Sequence, residues 1–83
     1  MKVIKCVELV NGDPGPSGQY LAKYDSKRGF SVWTRHKAKA MKFADAAEAF
    51  MLWNSVHELE PVRAHDGKPN KPLTAFTIVI EDE

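Results

Sequence analysis

Asp45-Ala46-Ala47-Glu48-Ala49-Phe50-Met51-Leu52-Trp53-Asn54-Ser55-Val56-His57-Glu58-Leu59 is the stretch that decides the fold, because its apolar residues recur at helical rather than strand spacing. With residues placed about 100° apart, Ala46, Ala49, Phe50, Leu52, Trp53 and Val56 fall on one side. Glu48, Met51, Asn54, Ser55 and Glu58 fall opposite. The spacing therefore predicts a one-sided helix over 45–59, which needs a surface to cover and should hide Phe50 and Trp53 against it. Asp45 with Glu48 three residues later has the form of a capping box, two side chains that satisfy free backbone N–H groups at a helix start. Pro61 sets the far limit, since the residue before a proline is pushed out of the helical region.

Upstream, residues 3–10 read as a strand rich in β-branched side chains, with Val3, Val7 and Leu9 on one face and Ile4, Cys6 and Val10 on the other. Two apolar faces, each broken once by a charge (Lys5, Glu8), predict a central strand. Residues 11–18, Asn-Gly-Asp-Pro-Gly-Pro-Ser-Gly, are a concentrated turn signal and predict a mobile hairpin loop. Residues 19–24 give a second strand, with Tyr20, Ala22 and Tyr24 on one face and Leu21 and Lys23 on the other. A five-residue turn over 25–29 ends in Gly29, and 30–34 returns as a third strand with Phe30 and Val32 opposed to Ser31 and Trp33. In the link 35–43 a short helical turn is expected, with Phe43 tucked inward. Residues 61–72, with three prolines and an Asp-Gly pair, predict an extended crossing loop, and 73–81 a last strand in which Phe76, Ile78 and Ile80 alternate with Thr77 and Val79. The expected fold is α+β, ordered β-β-β-α-β, an antiparallel sheet with one main helix packed on one face.

Eighty-three residues predict a single domain, 1–83, in which a chain of this size buries roughly 60 to 65% of its unfolded surface. A hydrophobic content of 43% with 28% charged residues lies well away from disordered compositions, so the chain is expected to fold by itself. One cysteine, Cys6, cannot form an internal disulfide, and no apolar run approaches the roughly 18 residues that span a bilayer. The first eight residues are too short and too charged for a signal peptide, which makes the cytoplasm the expected compartment and a membrane an unexpected partner.

Net charge is +1, so overall charge argues for no polyanionic partner. The distribution is uneven. Lys23, Lys27, Arg28, Arg35, Lys37, Lys39 and Lys42 face a single acid, Asp25, between residues 23 and 42, whereas Asp45, Glu48, Glu58, Glu60 and the tail Glu81-Asp82-Glu83 are all acidic.

Catalytic and metal constellations are missing from the pattern. His36, His57 and His65 have no neighbouring His, Cys or carboxylate pair at metal-ligand spacing; His65-Asp66 reads as a solvated turn and His57 as partly buried at the edge of the helix's apolar side. Cys6 sits in an apolar strand, where burial suppresses thiol reactivity. The serines lack a glycine-flanked elbow, and Gly12, Gly15 and Gly18 are followed by neither Lys-Ser nor Lys-Thr. The residues thus predict a protein that is not an enzyme and holds no cofactor and no metal. The feature that points to function is the basic stretch Arg35-His36-Lys37-Ala38-Lys39-Ala40-Met41-Lys42, with Trp33 and Phe30 beside it. Basic side chains neutralise phosphates and exposed aromatics stack on unpaired bases, although the same charges suit an acidic protein surface.

Tyr20-Leu21-Ala22-Lys23-Tyr24-Asp25, Gly29-Phe30, Trp33-Thr34, Lys39-Ala40-Met41-Lys42-Phe43, Ala47-Glu48-Ala49 and the run from Asp66 to Phe76 together resemble small uncharacterised proteins encoded by phages and prophages. The likeness spans most of the chain. It implies a bacterial or phage origin and a small accessory protein that binds and modulates a host or phage factor; the expected architecture also resembles compact β-β-α-β phage inhibitors of host defence. The expectation carried forward is a protein partner held by Lys27, Arg28, Arg35, Lys37, Lys39 and Lys42, with nucleic acid on the same surface as the alternative and self-assembly as a third class.

Overall fold

The computed structural model describes residues 1–7 and 17–83. Strands β1 (Lys2–Cys6), β2 (Tyr20–Asp25), β3 (Phe30–Thr34) and β4 (Ile78–Asp82) form one antiparallel sheet in the order β3-β2-β1-β4. Helix α1 (Ala46–Trp53) packs on one face, over β1 and β4. This is the α+β arrangement and the β-β-β-α-β order that the sequence implied. β1 is central, and Val3, Ile4 and Cys6 are all buried, which is why both of its faces are apolar. The expected extension of this strand to residue 10, and most of the turn expected over 11–18, lie outside the described residues. β4 pairs with β1 so that Ile80 lies opposite Ile4 and Ile78 opposite Cys6, and these four side chains share the helix face.

The faces of β2 differ from a simple alternation. Leu21 pairs with Trp33 but Lys23 pairs with Val32, so Ala22 is an extra residue, a β-bulge. The bulge resets the period. Leu21 and Tyr24, on opposite faces by simple alternation, both turn to the core with Trp33, and Tyr20 and Lys23 share the outer face with Phe30 and Val32. The core comprises Ile4, Leu21, Phe43, Ala49 and Leu73, ringed by half-buried Tyr24, Trp33, Leu52, Trp53, Phe76, Ile78 and Ile80.

α1 starts as expected: Asp45, extended at φ −150°, accepts the Glu48 N–H at 2.9 Å, and Glu48 accepts the Ala44 N–H at 3.1 Å. It ends at Trp53 rather than near residue 59, because the following backbone finds partners elsewhere. The His57 N–H donates to the Asn70 carbonyl and the Glu58 N–H to the Ser26 carbonyl, while His57 Nδ1 accepts the N–H groups of Leu59 and Glu60. Those tertiary bonds outcompete another turn of helix, and Val56 and Leu59 end exposed. Ala49 alone is fully buried on α1, Leu52 and Trp53 are half-buried, and Ala46 is exposed. Phe50, expected inside, is 51% exposed: its ring lines the open groove between α1 and β4, 5.8 Å from the Trp53 ring.

The link from β3 to α1 contains a 3-10 turn (Lys37–Lys39), and Phe43 is buried as expected, exchanging both backbone hydrogen bonds with Lys2. The expected crossing loop is instead a tight excursion closed by a bridge between Val62 and Pro69. A second 3-10 turn, Pro72–Ala75, then buries Leu73, so β4 begins at Ile78 rather than 73. Asp82, which ends β4, is held below the usual carboxylate range by its hydrogen bond to Lys2 and by that residue's charge.

Candidate partner-binding surface

Two-residue alternation along β3 sends Trp33 inward, where its ring lies 5.0 Å from that of Phe76, and sends Phe30 and Val32 outward on the sheet face opposite α1. β3 is an edge strand, and among the described residues both side chains stand exposed to solvent: Phe30 is 63% exposed and Val32 39%. Across the strand pair Val32 faces Lys23 and Phe30 faces Asp25, both exposed. Farther across the sheet Lys5 pairs with Tyr20, and the ammonium groups of Lys5 and Lys37 each lie 5.8 Å from the Tyr20 ring centroid, within cation–π range. The outer face therefore combines an apolar strip on β3 with cations along β2 and β1, and carries Asp25 opposite Phe30 and Glu81 on β4. The acids of the helix segment, Asp45 and Glu48, belong to the other face.

The six residues singled out from sequence divide into two groups. Lys27 and Arg28 occupy the β2–β3 turn, where the Asp25 carboxylate accepts both of their backbone N–H groups and lies 3.9 Å from the Arg28 guanidinium. Arg35, Lys37, Lys39 and Lys42 lie beyond the other end of β3, and at about 3.4 Å per residue a five-residue strand holds the two groups roughly 14 Å apart. The acidic tail folds back onto part of the second group. Lys37 lies 4.0 Å from Glu81, and Lys42 3.6 Å from Glu83 while donating to the Lys37 carbonyl. Among the described residues Lys23, Lys27, Arg35 and Lys39 have no carboxylate within ion-pair distance. The charge without an ion-pair partner thus lies at Lys23 and Lys27, near Val32 and Phe30, and at Arg35 and Lys39 beyond the other end of β3.

Lys5 and Lys23 were missed as part of a site because their place beside Tyr20 and Val32 depends on strand register and on the bulge. Phe30 carried a signal in the strand alternation, which opposed it to Trp33 without saying which of the two was core.

Other polar groupings do structural work. His57 fastens the turn after α1 through its ring nitrogen, and Asp66 joins Arg63, His65 and the Lys68 N–H in the exposed loop beside a cleft of about 530 Å³. Burial, with the nearby charges of Asp25 and Glu58, raises the Tyr24 phenol above its usual range. Among the described residues no three His, Cys, Asp or Glu side chains gather to hold a metal ion, and no helix is long and apolar enough to cross a membrane. No protein-family model matches the chain, and no curated protein or solved structure matches it either.

Proposed function

We propose that the chain is a small non-enzymatic accessory protein of the phage or prophage kind, acting in the cytoplasm, that binds and modulates an acidic protein partner through the outer face of its sheet. One observation carries the reading: a large aromatic ring, Phe30, stands 63% exposed on an edge strand opposite Asp25, with Lys23 and Lys27 nearby, neither of which has a described carboxylate within ion-pair distance. A ring desolvated at the centre of a contact supplies binding energy, and the surrounding charges steer the encounter and set its orientation. Lys23, Lys27, Arg35 and Lys39 do the steering, whereas Lys37 and Lys42 are already occupied by the tail.

Nucleic acid is the second reading, supported by the same exposed ring next to Lys23, since a base can stack on Phe30 with its phosphates on the flanking cations. The two separate by titration with single- and double-stranded DNA and RNA at low and moderate salt. Binding at low salt that weakens steeply as salt rises, and that Arg35→Glu with Lys39→Glu reduces, selects nucleic acid. Absence of binding at low salt leaves the protein partner. A partner captured equally by the wild-type chain and by the double charge-reversed variant rules out this surface.

A further inference from the structure

The edge opposite the Phe30 face carries a second and separate feature. β4 is the other outer strand of the sheet, and among the described residues no backbone pairs with its free side. The bonds from the Val7 N–H to the Thr77 carbonyl and from the Glu83 N–H to the Met1 carbonyl fix which way its peptide groups point. Odd-numbered residues 77 to 83 bond inward to β1, so Ile78, Ile80 and Asp82 present their N–H and C=O groups outward. Beside this edge, α1 and β4 enclose an apolar groove of about 440 Å³ lined by Phe50, Trp53, Phe76, Ile78 and Ile80 together with two threonines.

We propose that the occupant of this edge is β4 of a second copy of this chain, paired antiparallel about a twofold axis at Val79. The sequence Ile78-Val79-Ile80 is self-complementary in that register. Ile78 of each copy pairs with Ile80 of the other and exchanges both outward backbone bonds, and Val79 meets its own counterpart on the outer face. Neighbouring registers fail. An axis at Ile80 sets Ile78 against Asp82 and Val79 against Glu81. An axis at Ile78 sets Ile80 against Phe76, whose N–H already donates to Leu73 and whose carbonyl already accepts the Trp53 indole N–H at 3.2 Å, whereas the axis at Val79 leaves Phe76 opposite only Asp82 at the strand end. Charge at the end of β4, which ordinarily guards an edge strand, is offset within each copy by Lys37 on Glu81 and Lys2 on Asp82. The twofold axis runs perpendicular to the sheet, so both helices lie on the same face of one continuous eight-stranded sheet. The two grooves then lie on the same face on either side of the β4–β4 seam, with the exposed Phe50 rings lining them.

The test is the mass of the full chain in solution, by sedimentation equilibrium from low micromolar to millimolar concentration. The wild-type chain is expected to approach twice its 9.3 kDa. Val79→Lys sets two ammonium groups face to face at a position already 41% exposed, and is expected to give 9.3 kDa at every concentration, with a thermal melt that matches the wild type only where the wild type is itself monomeric. Val79→Cys is expected to form an intermolecular disulfide under mild oxidation, because closely spaced non-hydrogen-bonded pairs suit that bond, while Val32→Cys on the far strand does not. A wild-type monomer at the highest concentration, a Val79→Lys dimer, or equal cross-linking of the two cysteine variants overturns the proposal. The partner-binding reading stands or falls separately, since Phe30→Ser leaves the dimer mass unchanged.

Discussion

Gly29→Ala tests the contact that ends the helix early. Gly29 closes the β2–β3 turn at φ +66°, and a Cβ added there meets His57 Cδ2 at 2.7 Å and Pro72 Cγ at 2.9 Å. The left-handed backbone by itself costs an alanine about 1 to 2 kcal/mol. The steric contact adds to this, because His57 cannot retreat without loosening its Nδ1 from the N–H groups of Leu59 and Glu60, at 3.2 and 3.0 Å. At about 0.5 to 1.5 kcal/mol per hydrogen bond the added loss is about 1 to 3 kcal/mol. Gly18→Ala is the control: φ is +83°, yet no described residue lies within 4 Å of the added carbon. The backbone cost and the reduced entropy of the unfolded chain are common to both variants, so the difference isolates the contact. In urea titrations with a slope of about 1 kcal/mol/M, the Gly29→Ala midpoint should fall about 1 to 3 M below that of Gly18→Ala. Coincident midpoints would refute the docking of residues 54–60 on the turn.

Leu21→Ala empties a fully buried position and should cost about 2 to 5 kcal/mol, whereas Trp53→Ala, half-buried at the groove, should cost about 1 to 3 kcal/mol; thermal or urea unfolding of the two ranks them. Tyr24→Phe removes a buried hydroxyl that lacks a hydrogen-bond partner among the described residues, so it should stabilise the protein by about 1 kcal/mol at neutral pH. Because the folded phenol titrates above its unfolded value of 10.0, the wild-type contribution is fully present below pH 10 and is lost as pH rises through the folded pKa; the Phe variant should lack that alkaline loss. Asp82 behaves oppositely. Its folded pKa lies below 3.8, so the Lys2 contact stabilises above that pH and fades as pH falls through the folded value, and Asp82→Asn should flatten the acid limb of a stability-versus-pH curve.

The sheet, the helix start and the central place of β1 were legible because each rests on a local signal: alternation, a capping pair, and two apolar faces on one strand. The helix end was not, since Val56 and Leu59 continue the apolar spacing, and only the distant carbonyls of Ser26 and Asn70 draw the chain away. The bulge at Ala22 was hidden for a related reason: it exists in the pairing of two strands and leaves no mark in one. Charge clustering along the sequence did not show which of the cations are paired in the fold. Lys37 and Lys42 meet a tail some forty residues later, while Lys5, which shares the outer face with Tyr20, lies far upstream.

The most direct test of the binding surface is a comparison of what the full chain and its Phe30→Ser variant retain from a lysate of the source cell, quantified by mass spectrometry. The variant alters a ring that stands mostly in solvent, so its fold should be unaffected and only the contact should change. The account predicts an acidic protein that the wild-type chain retains and Phe30→Ser releases. Identical retained proteins from both chains would contradict it.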